Sequence, residues 1–398
     1  MNILTKWVNQ DVLCWARKRL NMTIDEVAEE SKKLAGQFYA ALTPKQLTEW
    51  ERGKSQPDLE YLETLSEIYV CPVGYFFLDQ TPTEEFPMSF RGISKDRRLV
   101  GSTSKRSLQR FIELAHWTAE LLQKTEQSWP VRIRPGQLIT RSTDVERYTV
   151  EYRRRLGWTT EQRQNLFGKP AEAFNWWRRV IEGEGVFCFE LRLDPKEVRG
   201  AALWCEGYPF ILVNHGDTEA AAGRIFTLLH EYAHLMSAKE GLVCDFRGIH
   251  QGHNPEPFAN RFAARMLITP EELHQRLDKL GESRYRNDWP DSLLDKVRRP
   301  FFASRDVVAI LLQELNFAPP KFYELKRQQW EDKKAWGRGG RRPPLNEQKL
   351  REIGYSLAGL LARAQMQDAF SWMDTSSQLG MKVEKAENFL HWAAAHAK

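Results

Sequence analysis

The sequence predicts a mainly α chain in which a small α+β core lies between an all-α N-terminal domain and a helical C-terminal module. Three observations carry this. Helix start signals crowd the first ninety residues, at Thr23-Ile24-Asp25-Glu26 and Thr43-Pro44-Lys45-Gln46. The strand-like runs VFCFELRL, VRGAALWC and PFILVN cluster between 186 and 214, with helical patterns on either side. Beyond the break KKAWGRGGRRPP, the last fifty residues place apolar side chains at helical spacing.

In chain order, Thr23 and Glu26 fit a capping box, in which the hydroxyl takes an orphan N–H of the first turn and the carboxylate reaches back to the cap. Thr43 repeats that logic, with Pro44 at the first helical position, where a missing N–H costs nothing. This helix runs through LTEWERG and is expected to stop at Gly53. Another follows Pro57 in DLEYLETLSEIY, and PVGYFFL closes the unit. LQRFIELAHWTAELLQ and PAEAFNWWRRVIEGEG read as helices ahead of the strands. A small sheet packed on helices is the α+β arrangement. SRDVVAILLQELNFAPPKFYELKRQQW continues the helical side of the core. The C-terminal module is expected to turn at MDTSSQLGM, and a helix-turn-helix, a capping bundle or a dimer-forming bundle fits it equally well. The predicted domains are residues 1–85, a basic helical linker region over 86–149, a core over 150–332, and a C-terminal module over 345–398.

At 398 residues the chain is too long for one small core. No apolar run approaches a membrane span and MNILTKWVNQD lacks an apolar signal core, so a cytoplasmic location without membrane association is expected. Cys14, Cys71, Cys188, Cys205 and Cys244 are scattered and never in CxxC spacing, which suggests buried, reduced thiols. The net charge of +5 is uneven. Residues 1–90 hold nine Lys/Arg against fourteen Asp/Glu, whereas 91–180 hold nineteen against nine. A basic region is compatible with nucleic-acid contact or with a solvated surface.

The chemistry is concentrated in FTLLHEYAHLM, residues 226–236. Side chains at i and i+4 share one helical face, so His230 and His234 can aim both imidazoles at a single point, as a clamp for zinc. Glu231 would then stand beside the open coordination position, where a carboxylate can act as general base on water. Chance yields HExxH in about one chain in a hundred of this length, so a third ligand is needed. NPEPFANRFAARMLITP supplies one: Glu256 falls at the start of a helix, with Asn260 one turn on to orient a ligand. Two histidines and a carboxylate leave the fourth position that a catalytic zinc keeps open. His250 and His253, in the loop RGIHQGHNP, are competing ligands. His215, just after PFILVN, is a candidate for polarising a substrate carbonyl as an oxyanion helper.

Two resemblances add to this reading. WARKRLNMTIDEVAEE and LTPKQLTEWERGKSQPDLEYLETLSEIYVCPVGYFFL resemble the lambda-repressor-like (XRE) helix-turn-helix family over about residues 12–78. The resemblance implies that the helix beginning near Thr43 enters the major groove of duplex DNA, with Lys45, Gln46 and Thr48 near bases and Arg52 or Lys54 near phosphate. The chain departs from the family in the longer connection through SKKLAGQFYA and in its net acidic charge. IEGEGVFCFEL, EVRGAALW, PFILVN, RIFTLLHEYAHLM and EPFANRFAARMLITP are similar to the ImmA/IrrE metallopeptidases over about residues 150–280. The family's HExxH, glutamate and Asn/Asp positions fall on His230, Glu231, His234, Glu256 and Asn260, with Phe258 where an acidic residue is common.

The implied protein is a regulatory zinc metalloendopeptidase that cleaves an XRE-type repressor or an antitoxin-like protein to control transcription in a stress, phage or mobile-element response. Single helix-turn-helix units bind weakly, which makes a homodimer the expected DNA-binding form. The alternative is a non-catalytic DNA-binding transcriptional regulator that keeps the peptidase fold as a sensing or docking module.

Overall fold

The computed structural model describes residues 8–20, 22–35, 39–69, 71, 73–82, 102–138, 145–166, 168–194, 198–216, 221–237, 242–246, 256–332, 343–367 and 369–396. The chain forms two compact units, Met1–Glu113 and Leu114–Lys398.

In the first unit, α1 (Gln10–Arg19), α2 (Ile24–Leu34), α3 (Pro44–Glu51) and α4 (Leu59–Tyr69) surround one apolar core that includes Leu13, Val27, Leu47, Leu65 and Phe76. Both expected capping boxes form, Thr23 with Glu26 and Thr43 with Gln46. The helix from Pro44 ends one residue before its cap, Arg52, and Gly53 follows with φ 66°, the left-handed conformation that glycine adopts without steric cost. Arg17 of α1 holds Glu51 of α3 through two bonds of 2.6 and 2.7 Å, tying α3 to the domain from its inner side. Helix α5 follows, over Ser102–Lys124.

Within the second unit lie α6 (Val145–Leu156), α7 (Thr160–Asn165) and α8 (Pro170–Glu182). A sheet follows, of β1 (Phe187–Leu191), β2 (Val198–Cys205), β3 (Tyr208–Asn214) and β4 (Leu242–Phe246), in the order β1-β3-β2-β4. β1 runs parallel to β3, and β2 runs antiparallel to both β3 and β4. The first three strands match the predicted runs. β4 has no counterpart among them: LVCDF is short and sits beside a histidine- and glycine-rich loop, so periodicity gave no signal.

Helix α9 (Ala221–Ser237) lies against β2 and β3, flanked by α8 and by α10 (Glu256–Leu267). Then come α11 (Pro270–Leu280), α12 (Asp291–Arg298), α13 (Arg305–Glu314) and α14 (Phe322–Asp332). Thr269 caps α11 with Glu272, as TP ahead of EE suggests. The C-terminal helices α15 (Leu345–Met366), α16 (Trp372–Leu379) and α17 (Val383–His396) pack together, and α15 lies on β1.

The expected turn at MDTSSQLGM is a helix for most of its length. Ser371 caps α16 by accepting from the Asp374 N–H, Thr375 and Ser376 are buried, and the chain turns only at Gly380, φ 60°. Hydroxyls near a helix start can bond the preceding turn, as Ser376 does to the Met373 carbonyl, so a polar run does not by itself mark a loop. Most of KKAWGRGGRRPP, much of the 86–149 region including 86–101 and 139–144, and the loop with His250 and His253 lie outside the described residues.

Candidate metal centre

Every side chain of α9 from Ile225 to Met236 is buried. A helix that is buried all round must be apolar or must give its polar groups specific surroundings, because desolvating a lone imidazole or carboxylate is costly. Besides the hydroxyls of Thr227 and Tyr232, the apolar pattern is broken by His230, Glu231 and His234, with relative exposures of 2%, 0% and 0%.

The two imidazoles meet. Nε2 of His230 and Nε2 of His234 are 2.9 Å apart, with ring centroids at 4.6 Å and planes inclined by 74°. Phe226, one turn earlier, flanks His230 at 6.1 Å between ring centroids. A tetrahedral zinc with ligand distances of about 2.0–2.1 Å spaces two nitrogens at a little over 3 Å, so the pair needs only a slight spreading to hold one ion. Imidazole nitrogens are donors that suit zinc.

Glu231 faces the sheet. A Cβ at Gly200 of β2 would stand 2.8 Å from its Oε1, 2.9 Å from its Cγ and 2.6 Å from Cγ2 of Thr227. The glycine therefore lets strand and helix approach at this point, where the β2–β4 pairing also shifts register. Tyr232 turns the other way. Its hydroxyl lies 3.2 Å from Arg155 and 3.4 Å from Glu184, two residues that form an ion pair, and burial pushes its pKa well above the ordinary tyrosine value.

Helix α10 starts at Glu256, as the sequence suggests, and packs along α9. The side chain of Glu256 lies outside the described residues; Asn260 is half-buried one turn on. Phe258 is 4% exposed, stacks on Phe262 at 6.3 Å and meets the edge of Tyr148 at 6.4 Å. The aromatic residue at this position thus helps fix α10 to α6. Among the described residues no group of three metal-ligating side chains converges.

His215 follows β3, and its backbone N–H donates to the Leu191 carbonyl at 3.0 Å. Its pKa is lowered, chiefly by desolvation, and the charged side chains acting on it are Glu190, Arg351 and Arg224. Its electrostatic surroundings are those of the β1 edge of the sheet.

Lys45 on α3 and Arg52 and Lys54 in the turn that ends it are exposed and, with Pro44, Thr48 and Glu49, line a concavity of about 300 Å³. Gln46 is occupied: its Oε1 accepts from the Thr43 N–H and hydroxyl at 2.9 and 2.8 Å, and its Nε2 lies 3.3 Å from the Tyr61 hydroxyl. The Thr48 hydroxyl donates to the Pro44 carbonyl at 2.7 Å.

Sequence reasoning missed the buried ion-pair chain of Arg178, Glu182, Glu190 and Arg224 that surrounds the start of α9. The i, i+4 spacing of Arg178 and Glu182 was a signal for the first pair. Glycine at 200, inside an otherwise continuous strand, was a signal for the close approach to Glu231.

A small mixed sheet backed by a buried HExxH helix, in a chain that also carries a compact domain of short capped helices, defines a peptidase-type domain combined with a helix-turn-helix domain. Residues 181–310 match the model of the IrrE N-terminal-like domain, Peptidase_M78, and residues 15–76 match a helix-turn-helix model. The chain thus has the ImmA/IrrE architecture with an XRE-type helix-turn-helix domain. No curated protein and no solved structure gave a match. Among the described residues, no helix is long and apolar enough to cross a membrane.

Proposed function

We propose that this protein is a regulatory zinc metalloendopeptidase that acts in the cytoplasm on an XRE-type repressor or antitoxin-like protein, and that its helix-turn-helix domain brings it to duplex DNA as a homodimer. The observation that carries the reading is the 2.9 Å approach of the His230 and His234 Nε2 atoms inside a buried helix that also carries the buried Glu231. His230, His234 and Glu256 would hold the metal, with Asn260 orienting one of them. When bound, zinc supplies Lewis acidity toward the scissile carbonyl and toward water.

The remaining steps belong to the chain's own residues. Glu231 takes a proton from the attacking water and passes it to the leaving amine, a role suited to a carboxylate buried where bulk water is excluded. Gly200 leaves room for that carboxylate, and the packing of α9 between α8, α10 and the sheet holds it in one orientation. His215 would polarise a carbonyl only if substrate extends to the β1 side.

The test is to incubate the full-length protein and its Glu231→Gln variant with a co-encoded repressor and to follow cleavage by mass spectrometry, with and without a zinc chelator. Chelator-sensitive cleavage by wild type alone supports the reading. Altered transcription with no cleavage by either form would favour the non-catalytic regulator.

A further inference from the structure

Helix α15 is broken at Gly354, whose φ of 82° and ψ of 167° divide it in two. A break of this kind frees carbonyls at the end of the first half and N–H groups at the start of the second. One ion pair on α8 serves both. Arg178 donates to the Arg351 carbonyl at 2.8 Å and to the Cys188 carbonyl of β1, while Glu182 accepts from the Ser356 N–H at 3.1 Å. A cation at a helix C-terminus and an anion at an N-terminus is the arrangement the helix dipole favours. The Arg178 and Glu182 side chains are 2% and 3% exposed, so the clamp is insulated from solvent. A Cβ at Gly354 would collide with Glu182 and with the Cys188 carbonyl.

The same arginine reaches the sheet. Arg178 binds one oxygen of Glu190 on β1 at 2.9 Å, and the other oxygen takes Arg224 of α9 at 2.7 Å. Arg224 lies six residues before His230, about 9 Å along the helix axis. An unbroken series of polar contacts therefore runs from α15 through Arg178, Glu190 and Arg224 to the helix that carries both histidines.

We propose that Glu190, acting through Arg224, is a positioning residue for His230 and His234, and that α15 holds it in place by way of Arg178. The inference rests on the metal-binding reading of the two histidines. An anchor in the first turn of α9 fixes the rotation of that helix and its shift along its axis. Two ligands on one helix converge with a group from another element only at one such setting, so small displacements weaken the site without unfolding the protein. The C-terminal helices thereby act on the metal site through this series of contacts.

The experiment uses the full chain and four variants: Arg224→Gln, Arg224→Lys, Gly354→Ala, and Arg224→Gln combined with Gly354→Ala. Zinc affinity is measured by competition with a chromophoric chelator, and the Co2+ absorption spectrum reports ligand geometry, both well below each variant's melting transition. Arg224→Gln is expected to weaken zinc binding about tenfold, the scale of losing an outer-shell partner, and to change the cobalt bands. Arg224→Lys should restore most of both. Gly354→Ala should act in the same direction, and the double variant should be little worse than either single one, as linked sites behave. Glu182→Gln, which loosens the same clamp, replaces Gly354→Ala if that protein does not fold. Unchanged affinity and spectrum in Arg224→Gln, with only a lower melting temperature, would overturn the proposal and leave the metal reading standing. Strict additivity would overturn the role of α15. Wild-type protein that takes up neither zinc nor cobalt would remove the metal reading and this inference together.

Discussion

Gly200 and Glu231 are matched in space: the strand passes so close to the helix that a methyl group at 200 would lie 2.8 Å from the Glu231 Oε1. Close-packed interiors do not absorb such an overlap freely, and overpacking of this kind costs about 1–3 kcal/mol. Gly200→Ala is therefore expected to lower stability by that amount and to displace the carboxylate. Cleavage should fall more steeply than zinc content, because the three atoms nearest that methyl group belong to Glu231 and Thr227 and not to either histidine. Chemical denaturation and metal analysis on the same preparation would check this; undiminished stability would mean that strand and helix separate without cost.

Metal content is the second prediction. Purified wild-type protein should hold about one equivalent of zinc, and His234→Ala should lose most of it, because a three-ligand site rarely tolerates the loss of one. Elemental analysis after reconstitution decides the matter, and a metal-free wild type would remove the proposed chemistry.

The third concerns DNA. Lys45, Arg52 and Lys54 stand exposed on one concave face, whereas Gln46 and Thr48 spend their side-chain hydrogen bonds within the domain. Lys45→Glu combined with Arg52→Glu should weaken binding to duplex DNA and flatten its dependence on salt. Gln46→Ala should lower the melting temperature of the domain by opening its capping box and should leave base preference largely unchanged. A shift in base preference with unaltered stability would reverse these roles.

A pH dependence follows from Glu182. Burial pushes its carboxyl up to about 7, against the pull of Arg178 and of the Ser356 and Tyr355 backbone, while Glu190, Cys188 and Tyr355 act on the same Arg178. The folded protein holds this proton more tightly than the unfolded chain, so the contribution to stability is complete below the ordinary carboxylate range and is lost as pH rises through about 7. The denaturation midpoint of wild type, taken relative to Glu182→Gln, should fall between pH 5 and 8. Parallel curves for the two proteins would contradict it.

Much of this molecule was legible in its sequence because local chemistry and tertiary structure agree. The capping boxes at Thr23 and Thr43 form as read, and the apolar runs of β1, β2 and β3 become strands, since those residues satisfy backbone groups or bury apolar surface wherever they are placed. The spacing of His230 and His234 similarly fixes their meeting on one helical face. What escaped depends on partners distant in sequence. Arg178 and Arg351 are 173 residues apart, and Glu182 and Ser356 are 174. Periodicity cannot announce such contacts, nor that Gly354 interrupts an otherwise regular helix. The run MDTSSQLGM misled because serine and threonine favour loops in isolation, yet Thr375 and Ser376 are buried here in a helix that packs on α15 and α17.

The position of α15 also bears on how the protein can be dissected. Among the described residues β1 pairs with β3 alone and would otherwise present a free row of backbone groups, yet all five of its residues are buried and the Cys188 carbonyl is taken by Arg178. An uncovered apolar strand is a template for pairing with other chains. A fragment ended at residue 344 would expose that strand and strand two buried charges at once. The segment that matches the peptidase family, residues 181–310, is thus not a particle that can be lifted out; its solubility is held in trust by the helices that follow it.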